Sequence, residues 1–528
     1  MKLYRSFATV GGLTMVSRVL GFVRDILFAW AFGSGMVADA FNVAFRFPNL
    51  FRRLFGEGAF NSAFIPLFAK ELEERGRDAA RDFAEQALSG LFAILIALTV
   101  VAIIGMPWLM YLLAPGFSAT PEKFDLAVLL TQITFPYLLC MSLVALFSGV
   151  LNTFGKFVES SSVSIVLNLT LATAIFIGFA LGFHNEPGGG IIQAIGVFVA
   201  GILQLWLLID GLRRNKFTLK LRRPRMTDNM RRLITLGIPG VIAGGVTQLN
   251  IMIGTVIASQ QPGAVSQLYY ADRLYELPLA IVGIAIGVVL LPDMSRQLRA
   301  GNREGVLQSQ NRSLEFAMLL TVPAALALAV VPGPIVKVLF ERGAFTALDT
   351  AQTSAVLAVF AFGLPAFVMI KVFSPAYFAR EDTRTPMRYA VISLIANTLG
   401  SIALFFLFRR AGLLPHMGIA LATTLGGWLN AGLLWSGLIR RGDFVADRLL
   451  LRSLPLILLS SLIMAAALWF AADLLAPWLR GPSQLERFGA LIALVGAGVI
   501  VYIAAVQLTG AMTIRRLMTG LRRTSGPA

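Results

Sequence analysis

Apolar residues run along this chain in blocks about as long as a bilayer crossing, separated by short polar breaks. The cleanest blocks are 91–106, 165–183, 191–209, 279–291, 454–472 and 490–508, against a requirement of roughly 20 apolar residues for a spanning helix. Amphipathic stretches of similar length lie between them, so the pattern predicts about fourteen helices, several of them hidden from a hydropathy scan. The fold class is therefore an all-α polytopic integral membrane protein. A composition of 57% hydrophobic and 14% charged residues lies outside the soluble globular range.

Charge placement orients these helices. Lysines and arginines gather in alternate breaks: 70–81, 213–232, 296–303, 380–388, 440–452 and 515–523. The intervening breaks hold few, Lys123, Lys337, Arg342, Arg409, Arg410, Arg480 and Arg487 among them. Basic loops stay in the cytoplasm, which places both termini there and makes the number of spans even. The net charge of +17 thus reads as topology and contact with membrane lipids, with no nucleic acid implied. The segment 1–5 is basic but leads to no small-residue cleavage site, so the first apolar segment is expected to be retained.

After the basic stretch 213–232 the pattern starts again. PLFAKEL at 66–72 has a counterpart in PDMSRQL at 292–298, LLAPGF at 112–117 in LFERGAF at 339–345, and FSGVLN at 147–152 in FSPAYF at 373–378. Arg46 falls opposite Arg273 in this register. The spacing predicts two six-helix lobes of like orientation, 1–215 and 228–440, joined by a basic cytoplasmic linker at 216–227. Parallel repeats of this kind hold their substrate site between the halves. Residues 441–528 add helices 13 and 14 and a basic cytoplasmic tail.

Ionised residues inside the expected spans single out the chemistry, since each costs at least about 2.5–3.5 kcal/mol in hydrocarbon and must face protein or a watery cavity. Spans 1 and 2 carry Arg18, Arg24, Asp25, Asp39, Arg46, Arg52, Arg53 and Glu57. On span 2, Asp39, Asn42, Arg46, Asn49, Arg53 and Glu57 fall within about 80° of one another at helical spacing, and Pro48 is expected to bend the helix. On span 1, Ser17 and Arg24 share a face. Span 8 adds Asp272, Arg273 and Glu276, and span 10 a further buried cation, Lys371. Cations slightly exceed anions, and the arginine fork suits phosphate or carboxylate. The same residues fit internal ion pairs such as Arg24–Asp39, and a gate can use both arrangements.

Other chemistry is sparse. Cys140 is the single cysteine and the two histidines, His184 and His416, fall in expected loops. Neither a GxxxxGK[ST] loop nor an HExxH motif occurs, so no enzyme, catalytic residue, metal site or cofactor is expected.

The stretches SRVLGFVRD, ADAFNVAFRFPNLFRRLFGEGAF, AFIPLFAKEL, YYADRLYELP and ERGAFT resemble the MurJ family of bacterial lipid II flippases, in the multidrug/oligosaccharidyl-lipid/polysaccharide exporter superfamily. The resemblance runs through helix 12 and is one of kind in helices 13 and 14. It implies a multi-pass inner-membrane protein with two lobes, a central cationic cavity, and a groove at helices 13 and 14 for the undecaprenyl tail. It implies alternating access that carries lipid II to the periplasmic leaflet for peptidoglycan synthesis, with cell-wall synthesis proteins as candidate partners. Functional positions carried over are Ser17, Arg18, Arg24, Asp39, Asn49, Arg52, Arg53, Glu57, Asp272, Arg273 and Glu276. In that scheme Arg24, Arg52 and Arg273 bind the pyrophosphate, and Asp39 and Glu57 pair with them in the empty site. Some family members bind sodium through acidic residues on helices 7 and 11; here those helices offer Gln248, Asn250 and Asn397. The membrane potential or an ion gradient is the expected driving force. A related polysaccharide-lipid flippase and a non-transporting scaffold for the cell-wall machinery are the alternatives.

Overall fold

The computed structural model describes residues 2–56 and 59–511, with side chains described outside 2–9, 51–60, 62, 239–247, 249, 281 and 283–289. Its helices are α1 (Lys2–Phe32), α2 (Met36–Gly56), α3 (Ala59–Ile104), α4 (Met106–Leu113), α5 (Pro121–Thr134), α6 (Tyr137–Thr153), α7 (Phe157–Ala180), α8 (Pro187–Arg214) and α9 (Asp228–Ala258). There follow α10 (Ala264–Arg299), α11 (Arg303–Val330), α12 (Pro332–Phe340), α13 (Ala347–Ala361), α14 (Leu364–Phe378) and α15 (Arg384–Arg410). The last are α16 (Pro415–Arg440), α17 (Arg448–Leu474), α18 (Ala476–Leu479) and α19 (Gln484–Thr509). Proline opens many of them, where its missing N–H costs no hydrogen bond. Elsewhere a side chain caps the start: Asn302 accepts from Gly305 N at 2.9 Å and Asp447 from Leu450 N at 2.7 Å.

Ten segments among the described residues are long and apolar enough to cross a bilayer. The expected fourteen would also need α1, α2, α9 and α10, of 31, 21, 31 and 36 residues. These are helices that carry charged or polar side chains, which is what hydropathy penalises.

Local structure departs from the sequence reading in three places. The expected loop at 70–82 is helical except at Gly76, where φ is 82°. Its composition of good helix formers and its i,i+4 pairs Lys70–Glu74 and Glu71–Arg75 explain why only the glycine interrupts it. His416 is no loop residue but the second residue of α16, fully buried. The basic linker 216–227 is a strap pinned to unit 1, described next.

The chain forms two compact units, Met1–Ser266 with Arg342–Thr346, and Gln267–Glu341 with Ala347–Ala528. In the first, α9 packs on α3 and α2. Phe217 of the strap is fully buried, edge-on to Phe68 and Phe154, with the Arg77 and Arg81 guanidiniums over its ring. Backbone N–H groups of Lys220 and Arg222 donate to Glu85 Oε1 at 3.0 Å and Ser89 Oγ at 2.8 Å. Those bonds satisfy backbone donors that would otherwise be left with water alone.

The second unit closes its polar connection the same way. Phe444 is buried edge-on to Phe373, and Asn311 donates to Val445 O and accepts from Asp447 N. Arg312 bridges Glu315 and Asp447. Left-handed backbone positions recur at the repeat spacing: Gly33 with Gly263, Gly76 with Gly301, Gly155 with Glu381, Gly182 with Gly412, and Lys216 with Gly442. Chain reversals thus repeat at nearly constant separation, independently of side-chain identity.

Candidate functional site

Asp39 lies in the first turn of α2 with no exposed surface. Its Oδ2 accepts from Lys123 Nζ at 2.6 Å and from Gly263 N at 2.8 Å. Its Oδ1 accepts from Ser266 N at 2.9 Å and Ser266 Oγ at 2.8 Å. The carboxylate therefore caps the N-terminus of α10, where free N–H groups and the helix dipole both favour an anion. Asn42, one turn along α2, donates to Ser266 Oγ at 3.1 Å. Lys123, expected in an outer loop, is in the first turn of α5, buried, with its ammonium 4.2 Å from the centre of the Phe117 ring. Asp39 thus holds a lysine and a helix end rather than the expected arginine. The sequence does carry a signal for this: a lysine in a first helical turn opposes the dipole and calls for a nearby anion.

Two turns flank this network. Gly116, in the turn before α5, donates its N–H to Ser259 Oγ at 3.1 Å, and a Cβ there would meet the Gln260 and Ser259 backbone at 2.4 Å. Gly343 stands against Trp30, where a Cβ would lie 2.4 Å from the carbonyl oxygen, and its φ is +60°. The neighbouring Ala344 N donates to Trp30 O at 2.9 Å. Residues 116 and 343 occupy matching places in the two repeated motifs: the first sits on the break leading to α10, the second on the last turn of α1, with Ala344 beside it on the break leading to α2. Only a residue without a side chain permits both approaches.

Arg24 is buried on α1 and ion-pairs with Asp25 at 2.6 Å, while its Nη1 donates to Asn168 Oδ1 of α7 at 3.1 Å. Asn168 Nδ2 donates to the Ser17 carbonyl at 3.0 Å and lies against Gly21. Ser17 and Arg24 do share a face, and Asn168, which the sequence reading passed over, ties them together. Arg18 is exposed on α1, among exposed Met15, Val16 and Val19. Arg46 is half-buried and donates to Thr255 Oγ1 of α9; Asn49 is half-buried on α2. The side chains of Arg52 and Arg53, and all of Glu57, lie outside the described residues.

In the second unit Asp272, Arg273 and Glu276 are partly exposed on α10. Arg273 donates to Glu276 Oε2 at 3.2 Å and Tyr269 Oη at 3.3 Å, with its guanidinium 5.0 Å from the Tyr269 ring centre. Lys371 is exposed rather than buried: α14 packs through Val368, Val372 and Phe373, and Lys371 lies off that face. An apolar groove of about 520 Å³ runs along α11, α12, α17 and α19, walled by Leu319, Pro323, Ile335, Leu468, Leu494 and Val499. Among the described residues no three His, Cys, Asp or Glu side chains gather as a metal site.

A family model described as "Lipid II flippase MurJ" matches residues 28–486. A "Probable lipid II flippase MurJ" of Rhizobium tropici is 44% identical over 99% of this chain and 97% of its own length. The "Lipid II flippase MurJ" of Burkholderia cenocepacia is 35% identical over 84% of this chain and 85% of its own. Among solved structures, "Lipid II flippase MurJ, inward closed conformation" superposes with a TM-score of 0.78 at 26% identity, covering 94% of this chain and 98% of that one. An inward-facing MATE family transporter of the MOP superfamily, 14% identical, shares the fold with a TM-score of 0.66 over 83% of this chain and 98% of that one. With ten apolar spans among the described residues, these relatives make the molecule a multi-pass protein of the bacterial inner membrane. The chain belongs to the MurJ family of lipid II flippases.

Proposed function

We propose that this chain carries lipid II from the cytoplasmic to the periplasmic leaflet by alternating access and catalyses no covalent chemistry. The observation that carries the reading is the family match across residues 28–486. The chemistry of the side chains supports it. A lipid diphosphate headgroup is too polar to cross hydrocarbon unaided, and the partly exposed Arg273 offers it a charge-assisted bond worth about 1.5–3 kcal/mol. Arg18, Arg52 and Arg53 are proposed as further cations that help to bind the headgroup. The groove at α11, α12, α17 and α19, about 520 Å³ and almost wholly apolar, suits a polyprenyl tail that never leaves the lipid.

Asp39, Lys123 and the Gly116 and Gly343 turns lie away from the basic loops and are proposed to close the periplasmic end. Release outward then requires the Asp39 cap on α10 to break. Displacement of a diphosphate outward down an inside-negative potential gains roughly 2.3 kcal/mol per charge per 100 mV, so the potential is the proposed driving force, with no cofactor. Complementation tests the function: the chain is expressed in a bacterium depleted of its own flippase, and outer-leaflet lipid II is assayed. Restoration is expected, with Arg273→Ala present in the membrane but inactive. Lipid II that stays in the inner leaflet with the intact chain overturns the substrate assignment.

A further inference from the structure

The two repeats differ at one place where their spacing would make them alike. In the first unit α3, α6, α8 and the strap enclose a groove of about 360 Å³, within the roughly 300–1,000 Å³ of small-ligand sites. Its walls include Leu88, Phe92, Leu143, Phe147 and Leu212, and Arg213 stands at its lip. The residues 226 positions further on, Leu314, Met318, Met369, Phe373 and Leu438, belong to one cluster in the second unit that α17 closes with Leu450 and Leu454. The lining of the first groove holds no counterpart of α17.

Charge decides what fits there. Arg214 pairs with Asp210 at 2.6 Å, and Arg222 with Asp82 and Glu85. Among the described residues no carboxylate pairs with Arg213, which is exposed, as are Lys216 and Lys220 on the strap. An arginine on the rim of an apolar slot, on the side where the basic loops gather, complements an acidic headgroup carried on an acyl chain. We infer that this groove holds one anionic phospholipid, its acyl chain taking the place that α17 fills in the second unit and its phosphate resting on Arg213. The lipid would pack the underside of the strap and hold it against α3.

Native mass spectrometry of the purified full chain, titrated with phosphatidylglycerol and with phosphatidylethanolamine, tests this. The intact chain is expected to retain one phosphatidylglycerol about tenfold more tightly than phosphatidylethanolamine. Arg213→Gln, a surface change that leaves packing intact, brings that ratio close to one, whereas Arg440→Gln at the end of α16 leaves it unchanged. Leu205→Trp fills the slot, also lined by Leu205, and removes the tightly held lipid. The inference is overturned if Arg213→Gln keeps the tenfold preference or the tight lipid survives Leu205→Trp. A dimer that Leu205→Trp dissociates would overturn it too, by giving the groove to a second copy.

Discussion

Two centres of charge differ sharply in their surroundings. Asp39 is fully buried and all its hydrogen bonds run to Lys123, Gly263 and Ser266. Arg273 is about a quarter exposed and pairs with a Glu276 that is more exposed still. A buried pair with every lone pair used is costly to break, about 3–5 kcal/mol when one partner is removed, so it suits a latch. An exposed pair is worth about 0–1 kcal/mol, so it can exchange Glu276 for a phosphate at little cost. An acid–base pair thus suits either purpose according to how far it is buried.

The largest effect that could break this contrast is expected for Asp39→Ala, which strands Lys123 and uncaps α10. Thermal unfolding of the purified protein should register a loss of about 3–5 kcal/mol, and a loss below about 1 kcal/mol would mean the centre is no latch. Next is Gly343→Val, whose Cβ would strike the Trp30 carbonyl at 2.4 Å. Overpacking of this kind costs about 1–3 kcal/mol, and it should appear as freer access to the periplasmic end in solvent-accessibility labelling. Arg273→Ala sharpens the comparison from the other side. Its stability should change by less than about 1 kcal/mol while outer-leaflet lipid II falls by about tenfold or more, the equivalent of about 1.4 kcal/mol or more of lost binding.

The smallest effect concerns a polar connection outside the spans. Asp382 has its carboxyl held well below the ordinary value because Thr385, and then Arg441, hydrogen-bond the ionised form. A depressed carboxyl adds stability above its ordinary value of 3.8 and loses it as pH falls from there toward the folded value. Melting curves should therefore show an acid-side loss that Asp382→Asn removes, kept small by the exposure of the pair.

The helices and the spacing at which chain reversals recur are written locally, in hydropathy and recurring motifs, so they could be read from the sequence. What escaped it joins distant positions. Lys123 meets Asp39 across 84 residues, Asn168 meets Arg24 across 144, and Ser266 meets Asp39 across 227. No local rule ranks such partners; only burial does, by forcing each charge to find a complement. The basic strap looked like a linker because its composition is polar. Phe217 and the backbone bonds to Glu85 and Ser89 hold it in place, and both depend on tertiary contact.

The latch itself can be tested by one labelling experiment. Ser259, 3% exposed beneath the Gly116 turn, is replaced by cysteine; Cys140 is buried, so the background stays nearly silent. A membrane-impermeant maleimide applied to intact spheroplasts should label Ser259→Cys slowly, and about tenfold or more faster once Asp39→Asn is added, the change that about 1.4 kcal/mol of lost closure produces. Equal labelling in the two backgrounds would contradict a closed periplasmic end held by Asp39.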